Sequence, residues 1–193
     1  MTTSATDRLS RLKVPDEDEL SPELRSFFES TRRREGHVPN WIAAFALGGD
    51  HFARLKDYVL PLLSAGKTGL TLREREIIAT VVSVQNRCSY CHTLHIHSLS
   101  EVVGDKWLAE RIGLDHREVA ELSRREHLLA ALAIKITNTP SEVGDEDYRA
   151  LFEEDLSEED AFEAVQLASI INATNRATLA LGVLPDREIF QSR

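Results

Sequence analysis

The chain has 193 residues, 42% of them apolar and 28% charged, with a net charge of −9. That length supports one domain with a real core, and the acidic balance argues against a nucleic-acid groove, which needs clustered Lys and Arg. No segment reaches the ~20 consecutive apolar residues that would span a bilayer. The opening "MTTSATDRLSRLKVP" lacks the apolar stretch of a secretory signal, so a cytoplasmic, reducing setting is expected. In that setting a close cysteine pair serves catalysis or metal binding more often than it serves as a staple.

Residues 1–20 are polar and weakly periodic, and read as an N-terminal arm ahead of a single helical domain over 21–193. "SPELRSFFES" starts a helix, with Ser21 as cap, Pro22 at the first helical position and Leu24, Phe27 and Phe28 on one face. The basic run "TRRRE" falls at that helix's end, where positive charge complements the helix dipole. "GHVPNW" is a turn, followed by the short apolar stretch "WIAAFAL". Asp50 is expected to cap a longer helix that buries Phe52, Leu55, Tyr58, Val59, Leu62 and Leu63.

"GKTGL" (66–70) is a loop that lacks the spacing of a phosphate loop. Thr71 and Glu74 of "TLRE" form a capping-box pattern opening a helix rich in Ile and Val. Its β-branched content suits a strand, but the cap and the length of the apolar run favour a helix. Beyond Ser98 the pattern stays helical: "GDKWLAERIG", "REVAELSRREHLLAALAIKI" ending before Pro140, "SEVGDEDYRALFEE", and a long last helix with Ser157 and Asp160 as capping box and Gly182 and Pro185 at its end. No alternating strand pattern is visible, so the fold class is all-α. "LTLREREIIATVVSVQNR" and "LSEEDAFEAVQLASIINA" form a faint internal repeat that places Asn86 and Asn172 at the same offset. Asn172, Asn175 and Arg176 are expected to make a helix–helix or subunit contact, or to line a pocket.

Both cysteines and three of the seven histidines fall in "NRCSYCHTLHIHSL". At about 100° per residue, Cys88, Cys91 and His95 share one helix face. With Asn86 as cap, the cysteines occupy the first turns, where free N–H groups and the dipole stabilise a thiolate. The dipole alone favours Cys88, nearer the terminus, as the more acidic thiol. His95 is four residues from Cys91 but seven from Cys88, so it is placed to take the proton of Cys91. If the preceding helix turns back near Asn86, Glu76, ten residues before it, and His95, nine after it, lie at nearly equal distances from the turn and meet. An unpaired carboxylate in that apolar run is costly to bury, and a Glu76–His95 pair removes the cost. Three other readings stand beside this one. Cys88, Cys91, His95 and one of His92, His97 or Glu76 make a possible zinc set, and the sulfurs are otherwise packing or a redox sensor without turnover. Trp41 and Trp107 are read as core or interface residues.

The stretch "EREIIATVVSVQNRCSYCHTLH" resembles the signature of the AhpD-like alkylhydroperoxidase family within the carboxymuconolactone decarboxylase superfamily. That signature is a Glu, eleven residues, Cys, two residues, Cys, three residues and His, and Glu76, Cys88, Cys91 and His95 match it at each step. "GHVPNW" and "NATNRATLALGV" resemble the longer members called peroxidase-related enzymes. The resemblance implies an AhpD-like helical bundle that forms a homo-oligomer and reduces small organic hydroperoxides without haem, metal or other cofactor. It implies that Cys91 attacks the peroxide, that Cys88 resolves the product as a disulfide, and that Glu76 and His95 relay the proton. An external dithiol, lipoyl or thioredoxin-like, would restore the thiols. One position departs from the family pattern: the best-known members carry a His immediately before the second cysteine, and this chain has Tyr90.

Overall fold

The computed structural model describes residues 8–64, 66 and 68–191. Residues 1–7 of the arm and Lys67 of the 66–70 loop lie outside the described residues. Among the described residues the chain is helical throughout, with no strand, as the sequence pattern predicts.

Helix α1 (Pro22–Glu35) begins where expected. The Ser21 hydroxyl accepts the Leu24 N–H at 3.3 Å, and Arg32, Arg33 and Arg34 fill the last turn. Gly36, at φ 81°, ends the helix in the left-handed region that glycine enters without a Cβ penalty. The apolar stretch after Pro39 becomes α2 (Asn40–Phe45) and a 3₁₀ turn over Ala46–Gly48. Helix α3 (Asp50–Leu62) differs from expectation at its start: Gly49 occupies the cap, and Asp50 is the first helical residue, favourable there by charge. Tyr58 is 44% exposed and lies off the buried face. Lys56 takes a place on that face instead, its Nζ lying 3.2 Å from Glu23 and 5.1 Å from the Phe27 ring centre.

Helices α4 (Leu72–Gln85) and α5 (Ser89–Val103) form an antiparallel hairpin. They are followed by α6 (Lys106–Asp115), α7 (Arg124–Asn138), α8 (Asp145–Phe152) and α9 (Glu158–Leu181). Helix α4 is the centre of the bundle and packs against α5, α6, α7 and α9. Ile77, Ile78, Ala79 and Val82 have no exposed surface, so the apolar run that could have read as a strand is a helix buried on all sides. Capping boxes at Thr71/Glu74, Ser123/Glu126 and Ser157/Asp160 start α4, α7 and α9. The repeated asparagines bond to each other: Asn86 Nδ2 donates to Asn172 Oδ1 at 2.8 Å. Asn175 Nδ2 donates to Ser83 Oγ at 3.3 Å, so the polar residues of α9 serve a helix–helix contact.

The described part of the arm is tied to the last helix. Arg11 N donates to Leu181 O at 2.7 Å, and Leu184 N donates to Leu9 O at 3.1 Å. The Arg11 guanidinium donates to Leu179 O and Ala180 O, both at 2.9 Å, and so satisfies carbonyls that a helix end leaves without partners.

Among the described residues, one charged side chain has no exposed surface at all. Arg75 of α4 has 0% exposure and donates to Leu62 O at 2.9 Å, Leu70 O at 3.3 Å and Glu163 Oε2 at 2.8 Å. Removing one partner of a buried pair leaves the other charge uncompensated. Arg75→Met is therefore expected to lower the stability by about 3 kcal/mol, seen as a lower urea midpoint at unchanged slope.

Candidate active site

The link between α4 and α5 positions the cysteines. Cys88 N donates to Ser83 O at 3.0 Å and Arg87 N to Val84 O at 2.9 Å, the paired bonds of a Schellman turn. Arg87 holds the left-handed position at φ 55°, which a non-glycine residue adopts only when the surrounding structure requires it. Asn86, expected to cap α5, instead ends α4, and Cys88 itself is the N-cap of α5. Its Sγ accepts the Cys91 N–H at 3.3 Å.

The two sulfurs stand 2.6 Å apart, both as free thiols. Cys88 has no exposed surface and Cys91 has 6%. Around them pack Ala44, Val183, Trp41, Phe45, Leu94, Leu181 and Leu9. Trp41 is thus a core residue, whereas Trp107 is 64% exposed and stacks on Arg111. Two clefts, of about 510 Å³ between α8 and α9 and about 380 Å³ beside α5 and α6, are lined by no cysteine.

The hairpin brings Glu76 and His95 together. His95 Nδ1–H donates to Glu76 Oε2 at 3.0 Å, and both side chains are more than nine-tenths buried. The carboxylate fixes the tautomer and leaves Nε2 as the basic nitrogen. All four expected residues therefore lie on the two helices of one hairpin: Glu76 on α4, Cys88 at the cap of α5, and Cys91 and His95 along α5.

The thiols are unlike each other. The Cys88 thiol is pushed below the ordinary thiol range, chiefly by the hydrogen bond from the Cys91 thiol, with help from the Cys91 N–H and the nearby His95. The Cys91 thiol is pushed far above that range, because the bond to Cys88 holds its proton and burial disfavours its charge. A bond to the Thr178 hydroxyl on α9 acts in the opposite direction and favours the Cys91 thiolate. Among the described residues, Cys88, Cys91 and His95 do not bring their ligand atoms into one convergent set, as a zinc site over them would need.

Tyr90 has a partner that sequence reasoning missed. Its hydroxyl donates to Asp186 Oδ2 at 2.7 Å, and Asn40 N donates to Asp186 Oδ1 at 2.7 Å. Burial and then the Asp186 charge push the phenol well above its ordinary value, so it stays protonated and serves as a donor. Asp186 follows Pro185 in an aperiodic segment that carries no signal for this bond, and nothing in the helical pattern around Thr178 sets it apart.

The shared proton gives a direct expectation. Thiolate absorbance should rise, in an acid-to-base titration, at a pH below the ordinary thiol range, because the folded-state value of Cys88 is depressed. In Cys91→Ala the donor is gone and the remaining thiol should ionise at higher pH, a shift that ultraviolet titration of both proteins reads directly.

The carboxymuconolactone decarboxylase family model matches residues 49–102, which span α3, α4 and almost all of α5. No curated protein matches the chain. Among solved structures, an uncharacterized peroxidase-related protein from Ralstonia eutropha JMP134, described as an alkylhydroperoxidase AhpD core, shares 27% identity over 95% of each chain at a TM-score of 0.89. An uncharacterized peroxidase-related protein from Silicibacter sp. TM1040 shares 28% identity over 97% of each chain at a TM-score of 0.88. The debrominase Bmp8, at 18% identity over 97% of each chain and a TM-score of 0.69, shares the fold. The family match lies on the hairpin that carries the dithiol, and the peroxidase-related structures follow the fold almost end to end, so this chain has the AhpD-like helical fold and resembles the carboxymuconolactone decarboxylase family over α3 to α5.

Proposed function

We propose that the chain is a thiol-dependent peroxidase that reduces small organic hydroperoxides through a cycle of Cys88 and Cys91. The observation that carries this reading is the buried Glu76–His95 pair on the same hairpin as two sulfurs in contact. A purely structural dithiol has no use for a basic imidazole nitrogen oriented by a carboxylate, whereas a thiol that must lose its proton before attack does.

Cys91 is the attacking thiol: its residue keeps 6% exposure where Cys88 has none, and His95 lies one helical turn further along α5. Its proton is held tightly at rest, so His95 Nε2 takes it, directly or through water, while Glu76 stabilises the imidazolium. The thiolate forms a bond to the outer peroxide oxygen, the O–O bond breaks, and the alkoxide leaves as an alcohol with the proton from His95. Cys91 is then a sulfenic acid. Cys88, the more acidic thiol, attacks that sulfur; the S–O bond breaks, hydroxide takes a proton to leave as water, and a disulfide remains. An external dithiol of the lipoyl or thioredoxin type returns two electrons and two protons and closes the cycle. Glu76 and His95 orient and move the proton, and Tyr90, held by Asp186, stands outside that route. Exposed Trp107, Leu114, Phe162 and Phe190 supply apolar surface for copies of the chain, and the same proposal takes the working form to be a homo-oligomer.

Turnover of cumene hydroperoxide with a dithiol reductant tests the reading. Continuous consumption is expected, with Cys91→Ser inactive and His95→Gln or Glu76→Gln slower by roughly 10²–10⁴-fold. Cys88→Ser should stop after a single oxidation and accumulate a sulfenic acid that a dimedone adduct reveals by mass. Oxidation that ends at one disulfide per chain despite excess dithiol would assign the pair to redox sensing instead.

A further inference from the structure

A second group of chemistry-bearing side chains lies outside the dithiol hairpin. His37 follows the glycine that ends α1, and Asp186 and Glu188 stand two residues apart at the chain's last turn, a 3₁₀ turn over Arg187–Phe190. One ligand atom from each lies within 4.8 Å of the other two, the convergence that the cysteines lack among the described residues. We propose that His37, Asp186 and Glu188 bind a transition-metal dication of the zinc, cobalt or manganese class.

The tautomer of His37 carries much of the argument. Its Nδ1 lies 3.2 Å from the Glu35 carbonyl oxygen, which can only accept, so the ring hydrogen sits on Nδ1 and the lone pair on Nε2. That is the arrangement of a metal-binding imidazole, oriented by a backbone carbonyl behind it. Nε2 has no exposed surface and no hydrogen-bond partner. Its nearest charged neighbour is Glu188 Oε2 at 4.0 Å, beyond hydrogen-bond reach, so moving the proton to Nε2 would leave a buried N–H unsatisfied. A lone pair and two carboxylates gathered within 4.8 Å of one another repel each other, and a cation between them removes that repulsion.

The carboxylates fit the same reading. Asp186 is 1% exposed, a poor place for a charge balanced only by neutral donors. Tyr90 OH and Asn40 N–H each hold one of its oxygens, which fixes the carboxylate's direction as an outer shell fixes a metal ligand. Glu188, with a side chain 53% exposed, is free to swing inward. Ligand atoms around a dication with bonds near ~2.1 Å stand about 3.5 Å apart, so a small movement of Glu188 closes the set. Two carboxylates neutralise the dication, and one nitrogen with two oxygens suits zinc, cobalt or manganese better than calcium or magnesium. Three protein ligands leave a position for water. The ion would tie the loop after α1 to the chain's last turn.

Cobalt(II) titration of the full chain carrying Cys88→Ser and Cys91→Ser tests the site with no thiolate to compete. Saturable uptake of a single Co2+ per chain is expected, with d–d bands in the visible and an increase in melting temperature on loading. Adding His37→Ala or Glu188→Gln should weaken binding by tenfold or more while the far-ultraviolet circular dichroism stays helical. Glu188→Gln changes only a surface side chain, so its result holds even if His37→Ala disturbs the loop. Absence of saturable uptake, or uptake of equal affinity in both variants, would overturn the proposal.

Discussion

The bundle is organised around a carboxylate that has to be buried. Glu76 sits midway along α4, the one helix enclosed by four others, where Ile77 and Ile78 beside it have no exposed surface. A lone carboxylate there would carry a desolvation cost of several kcal/mol. The His95 Nδ1–H bond at 3.0 Å answers that cost, and it exists only because α5 turns straight back along α4. The hairpin, the register of its two helices and the orientation of the imidazole are thus parts of one constraint. The sulfurs inherit their surroundings from it, since Cys88 is the residue on which the returning helix begins.

Much of this was legible from residue types and spacing. The helices announced themselves through caps: Ser21, Thr71, Ser123 and Ser157 each accept an N–H of the first turn. The meeting of Glu76 and His95 followed from counting outward from a turn near Asn86, and a shift of one residue in that turn did not change the outcome, because ten and nine residues of helix still return to the same level. What failed to show was whatever depends on contacts between distant segments. Tyr90 and Asp186 are 96 residues apart, and neither lies in a pattern that points to the other. Tyr58 satisfied the helical period yet faces out, while Lys56 is buried, because the aromatic cluster of Phe27, Trp41, Phe45 and Phe52 covers that side. Position on a helix face is a local property; what covers the face is not.

The two thiols divide a property that one alone could not hold. A sulfur that is both the better anion and the better exposed would react with whatever oxidant arrived. Here the anion is favoured at Cys88, which has no exposed surface, and Cys91, which retains a little, keeps its proton. The apolar packing from Ala44, Trp41, Phe45 and Val183 strengthens both effects, because low polarity around a pair deepens the sharing of one proton between them.

The Schellman turn over 83–88 carries a further consequence for how this protein can change over time. Loops elsewhere in the bundle can lengthen with little penalty, since closing a slightly longer loop costs a fraction of a kcal/mol. The link at Asn86 and Arg87 has no such latitude. An inserted residue there would rotate α5 by about 100° against α4, sending the imidazole away from its carboxylate and turning the sulfurs toward a different wall of the bundle. The distance along the chain from Glu76 to Cys88 is therefore a length that descent can conserve only whole, however freely the residues between are exchanged.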